Sequence, residues 1–225
     1  MARGGEQKVP RPEPVESSTA SEWSGIDDPV SLFTYDSLAR IRGLSPEGSA
    51  IHVPGLRRAA VLALVTSGVC GAYGENGPSF VFVKRPKTAS THAGEIAFPG
   101  GMAEPEDANL EATALREAHE EIALAPGRVD VLAELGPEAV IVTRSIVTPF
   151  LGWVDELPEL IPEPGEVDRI LVVPFSELLD PDTYHSEIWF IGGLERRMHF
   201  FDIEGETIWG LTARMVHVIF TAVIG

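Results

Sequence analysis

Three carboxylates, Glu117, Glu120 and Glu121, lie three and four residues apart in the stretch Arg116-Glu117-Ala118-His119-Glu120-Glu121. On a helix, at ~100° per residue, they fall within one arc. Like charges so placed repel by about 0.2–0.5 kcal/mol per pair, so something has to offset them. A hard divalent cation does this directly, because it takes carboxylate oxygens and keeps several waters. A solvated acidic face is the plainer alternative, and helix pattern alone favours it. Two features weigh against it. Arg116 can pair with a neighbouring acid and orient it, and the cluster follows a strand and a glycine-rich break.

The chain around the acids supplies the elements that would position them. Residues 92–101 read as a short strand ending in Phe98-Pro99-Gly100-Gly101, followed by a polar loop over 102–107. Glycines at 94, 100 and 101 permit close backbone approach and a sharp turn there. The spacing predicts a helix over 108–123, stopped by Pro126-Gly127, with Leu115, Ala118 and Ile122 facing a sheet. Apolar runs predict strands at 59–65 and 79–84, joined as a hairpin across the turn 74–78. Further strands are expected at 129–132, 139–142, 148–154 and 170–173, and a late hairpin from 189–191 and 198–201. Helices are expected at 36–42, 175–179 and 207–223. This is an α/β domain with a mixed sheet between helices. Residues 1–28, polar and punctuated by Pro10, Pro12 and Pro14, read as a disordered tail, with one domain over 29–225.

Composition narrows the function. With 225 residues, 44% hydrophobic and 23% charged, the chain reads as one soluble domain. A net charge of −17 excludes nucleic-acid binding driven by phosphate neutralisation, so an anionic substrate has to be met by metal ions or a few local cations. The single cysteine, Cys70, excludes an intrachain disulfide and a multi-cysteine zinc site, and is expected to be a buried thiol. The apolar stretch 215–224 is too short to span a bilayer, and residues 1–30 contain no secretory h-region. A cytoplasmic location without a membrane partner is therefore expected. A homodimer is left open.

The segment 101–124 resembles the Nudix box, a glycine, a spacer, an acid, a spacer, then Arg-Glu-apolar-x-Glu-Glu-x-Gly-apolar. The four charged residues would fall in this register by chance at roughly 10⁻⁵ per start position, which reverses the preference for a solvated face. The box glycine is replaced by Ala123, and the spacing from Gly101 to Arg116 is one residue longer than the common form. The mid-box acid is read as Asp107 before Glu111.

That longer spacing, and the run His92-Ala93-Gly94-Glu95-Ile96-Ala97-Phe98-Pro99-Gly100-Gly101, resemble the coenzyme A pyrophosphatase branch of the family. Its motif carries Leu and Arg where this chain has Ala89 and Ser90.

The resemblance implies a Nudix-type α/β/α sandwich and metal-dependent hydrolysis of a diphosphate. The expected substrate is coenzyme A or a derivative. The expected products are adenosine 3′,5′-bisphosphate and 4′-phosphopantetheine. Mg²⁺ or Mn²⁺ would be held by Glu117, Glu120 and Glu121. Glu120 or Glu121 would act as base, and Arg116 would orient the acids. His92, Lys84, Arg85, Gly100 and Gly101 are the candidate substrate contacts, and Glu166 a further candidate acid. His119 is expected at the surface. Alternatives are a broader hydrolase of ADP-ribose, NADH or nucleoside diphosphate sugars, and a non-catalytic Nudix binding module.

Overall fold

Long runs of β-branched and aromatic residues alternate with short turn segments, and they build the sheets on which everything else rests. The computed structural model describes residues 14–18, 23, 28–41, 55–70, 74–75, 77–89, 92–140, 144–191 and 193–224. In chain order the elements are β1 (Glu16–Ser18), α1 (Tyr35–Ala39), β2 (Arg57–Cys70), β3 (Gly74–Glu75), β4 (Ser79–Lys84), β5 (Ile96–Ala97) and β6 (Gly100–Met102). They continue with α2 (Leu110–Ile122), β7 (Asp130–Glu134), β8 (Glu138–Val140), β9 (Ser145–Leu157), β10 (Arg169–Pro174) and α3 (Phe175–Leu178). The chain ends with β11 (Tyr184–Ile191), β12 (Leu194–Ile203), β13 (Glu206–Trp209) and α4 (Gly210–Ile224).

The main sheet is mixed. Its spine runs β10-β4-β2-β9-β7, with β2 and β9 parallel and the other spine pairs antiparallel. The expected hairpin of β2 and β4 is present, with Leu64 opposite Val81. Side-chain alternation divides the interior in two. Leu62, Leu64, Val81 and Val83 pack on one face with Ala114, Ala118 and Ile122 of α2. Ala63, Val65, Phe80 and Phe82 pack on the other with α1, α3 and α4. Helices thus flank a mixed sheet, as the sequence predicts.

Several boundaries differ from expectation. Residues 207–209 lie in β13, not in the C-terminal helix, because Phe200, Phe201 and Asp202 pair with them across the sheet. The late hairpin is longer than predicted and belongs to a second sheet, ordered β1-β11-β12-β13. Within the expected tail, Glu16–Ser18 forms an edge strand on β11, and Trp23 is buried against Tyr184, Phe201 and Phe220. At those residues the chain is ordered by pairing and by one large aromatic anchor, neither of which polar composition announces. The Cys70 side chain, Ser90 and Thr91, and the expected element ends at 42 and 141–142 lie outside the described residues. Among the described residues no helix is long and apolar enough to cross a membrane.

Candidate active site

The acids sit where α2 passes over β6. Asn109 starts the helix, its side chain accepting the Ala112 N–H at 2.8 Å. Ala114, Ala118 and Ile122 press one side of α2 onto β2, which turns Glu117 and Glu121 toward the glycine break. That break is required sterically. A Cβ on Gly101 would lie 2.5 Å from Glu117 Oε1, and one on Gly100 would lie 2.6 Å from Val61 Cα. Gly100 and Gly101 therefore serve to let the helix carboxylates and strand β2 come close.

Glu121 is almost wholly buried, its side chain 2% exposed. The Gly100 N–H donates to its Oε2 at 3.0 Å, and an Arg85 guanidinium nitrogen lies 3.7 Å from Oε1. Burial pushes its carboxyl up to about 7, with repulsion from Glu117 and Glu166 adding to the rise. The Gly100 bond and Arg85 oppose that shift without cancelling it. Glu117 is raised by burial as well, against the pull of Arg116. A loop after β9 closes the site's other side. Its N–H groups at Ile161 and Glu163 cap the last α2 carbonyls at 3.1 and 2.9 Å, and Leu160 and Val167 plug into the α2 core. This anchoring brings exposed Glu166 close enough for its charge to act on both Glu117 and Glu121.

Arg116 organises the flank of the cluster. Its Nε and Nη2 donate to Asp107 at 3.0 and 3.2 Å, Nη2 also reaches Met102 O at 3.0 Å, and Nη1 donates to Glu120 at 2.8 Å. Asp107 further accepts from Thr113 Oγ1 and the Glu104 N–H, and the Arg116 fork holds its carboxyl well below the usual range. It ties the loop to the helix and is spent on Arg116. Glu120 points outward, its side chain 53% exposed and held by Arg116.

The other predicted contacts fall unevenly. Arg85 lies at the carboxylates. Lys84 is instead paired with Glu206, which Arg169 also approaches at 3.6 Å. His92, in the left-handed region at φ 55°, bonds Glu95 Oε2 through Nδ1 at 2.7 Å, which raises its pKa. His119 is exposed. Sequence reasoning missed Glu95 and Glu206 as the partners of these two candidate contacts. The His92/Glu95 spacing of three residues was a visible signal, whereas the Lys84/Glu206 separation left none.

Among the described residues no three His, Cys, Asp or Glu side chains converge at metal-binding spacing. The donor chemistry nonetheless fits a hard cation. Glu117 and Glu121 are carboxylates lifted by burial and by excess negative charge, which a divalent ion would relieve.

The NUDIX domain family matches residues 62–190. The chain is 38% identical over 143 residues to the uncharacterized Nudix hydrolase NudL of Photorhabdus laumondii, covering 62% of this chain and 74% of that one. It is 37% identical over 160 residues to NudL of Yersinia pestis, covering 71% and 76%. Among solved structures, a MutT/nudix family protein from Enterococcus faecalis aligns over 91% of this chain and 75% of that one, with 10% identity and a TM-score of 0.49. More than half of the chain lies within the family match, and the chain belongs to the Nudix hydrolase family.

Proposed function

We propose that the protein hydrolyses the diphosphate of coenzyme A or a derivative, releasing adenosine 3′,5′-bisphosphate and 4′-phosphopantetheine. The observation that supports the chemistry is the junction of β6 and α2, where Gly100 and Gly101 admit a buried Glu121 beside Glu117. Glu117, Glu120 and Glu121 would hold Mg²⁺ or Mn²⁺, which when bound neutralises phosphate oxygens and acidifies water. The protein's own part is positional and protolytic. Glu121, buried beside the glycine break with the Gly100 N–H on its Oε2, is favoured as base over exposed Glu120, which Arg116 holds. Arg116 restrains Glu120 and the loop through Asp107. Arg85 offers a cation for a substrate phosphate beside the acids.

The coenzyme A assignment draws on the sequence from His92 to Gly101. One observation favours the broader reading. Lys84 is engaged by Glu206, which leaves Arg85 as the nearer cation for a 3′-phosphate. The test is turnover of coenzyme A, ADP-ribose and NADH with Mg²⁺ or Mn²⁺, products identified by mass spectrometry. A higher kcat/KM for coenzyme A with the two stated products supports the narrow assignment. Preference for ADP-ribose or NADH replaces it, and absence of metal-dependent turnover on all three overturns it.

A further inference from the structure

We propose that a cleft between β12 and α4 binds a phosphate-bearing anion at a site separate from the carboxylate cluster. Arg196, Arg197 and His199 line it from the strand, and Arg214 and His217 from the helix. It is a shallow, solvent-open cleft of about 410 Å³, within the usual volume range for small-molecule sites of about 300–1,000 Å³. The proposal is independent of the substrate assigned above.

Charge placement carries the argument. The chain has 17 Lys and Arg against 34 acids, yet three arginines line this one cleft. Glu195 is the acid on its wall among the described residues. Two of the guanidiniums are braced. Arg197 Nη1 donates to Ser186 Oγ at 3.0 Å, and Arg214 Nη2 pairs with Glu138 Oε1 at 2.8 Å. Each contact uses one nitrogen of a planar fork carrying five N–H donors, the geometry that suits phosphate oxygens.

The histidines add a second, independent feature. His199 and His217 stack with ring centres 3.9 Å apart, and Tyr184 Oη lies 2.8 Å from His199 Nδ1. Burial, His217 and the two arginines hold His199 down at about 3, so it is neutral at ordinary pH. In the tautomer whose Nδ1 accepts from the tyrosine hydroxyl, the ring proton sits on Nε2 and can serve as a neutral donor. Arg197 and Arg214 supply the positive charge beside the two stacked imidazoles, an arrangement that an anion would complement.

The location separates this cleft from the chemistry. Val216, Ile219 and Phe220 of α4 pack on Phe80 and Phe82, on the face of the main sheet opposite α2. Binding here and hydrolysis there can therefore be dissected.

The full chain, kept free of divalent metal with EDTA, would be titrated with inorganic phosphate and separately with AMP. Calorimetry would give affinity, and histidine ring NMR would report on the site. Phosphate is expected to shift the His199 and His217 signals, and Arg197→Gln/Arg214→Gln to weaken binding by about tenfold or more. The double variant is expected to keep its circular dichroism and its metal-dependent turnover. Equal phosphate and AMP affinity would assign the site to the phosphate group alone, and tighter AMP binding to a nucleotide. Unchanged affinity in the double variant would overturn the proposal. So would identical histidine shifts with sodium chloride at matched ionic strength, which reads out in the unmutated protein.

Discussion

Glu121 is a carboxylate placed where solvation is poor, and the local chain only partly compensates it. Its folded-state value of about 7 lies above its ordinary value of 4.5. Between those two pH values the folded chain holds a proton that the unfolded chain has released. The group's contribution to stability is therefore full below about 4.5 and is lost as pH rises through about 7. In the metal-free protein, Glu121→Gln should raise stability at pH 8 by about 1–3 kcal/mol and change it little at pH 4.5. The same substitution should abolish turnover while the fold is kept. Thermal melts at both pH values in EDTA, with a turnover assay in Mg²⁺, check this. Near wild-type hydrolysis would remove Glu121 from the chemistry, and an unchanged melt at pH 8 would refute its strained burial. At this scale the sequence was informative where spacing is local. Glu117 and Glu121 share an arc because helices repeat, and Arg116 meets Glu120 one turn on. It was silent where the loop path decides. Asp107 has the composition of a ligand, but the loop folds it onto Arg116 nine residues away.

The helix that carries these acids ends in a conformation its sequence does not favour. Ala123, where the Nudix pattern has glycine, caps α2 at φ 57°, ψ 24°, its N–H reaching back to the Ala118 and His119 carbonyls. The left-handed region crowds Cβ against the following carbonyl at a cost of roughly 1–2 kcal/mol, and glycine avoids that cost while losing some chain entropy. Ala123→Gly should therefore stabilise the protein by about 0.5–1 kcal/mol, a gain of about 1–4 °C in Tm for a domain of this size. A lower Tm by differential scanning calorimetry would show that the cap is held by its surroundings and not by backbone preference. Element existence was legible because period and turn chemistry agree: α2, the β2–β4 hairpin and β10 fall near their predicted places. Boundaries moved where partners decide. Thr207-Ile208-Trp209 suits a helix start as well as a strand, and only β12 beside it makes it β13, with Gly210 at φ 65° turning the chain into α4.

At the scale of the molecule, the main sheet separates two tasks. One face carries α2 and the carboxylates. The other carries a buttress in which Trp23 contacts Tyr184, Phe201, His217 and Phe220 from within a segment whose composition reads as tail. The second sheet was legible only in its late hairpin, since its edge strand β1 is three residues long and is defined only by pairing with β11. Burial of Trp23 at 4% exposure implies that removing it leaves a cavity in the α4 side of the core. Phe/Trp→Ala changes of this kind cost about 3–5 kcal/mol, or about 6–20 °C in Tm for a domain of this size. Because the cavity opens on the face away from Glu117 and Glu121, Trp23→Ala should lower Tm by that amount and leave kcat of the folded protein close to wild type at a temperature well below its transition. Calorimetry paired with turnover at 20 °C, roughly room temperature, separates the two effects. A melt unchanged by the substitution would mean the segment is not part of the core. A fall in kcat with the melt intact would mean that the buttress face communicates with the site through the sheet.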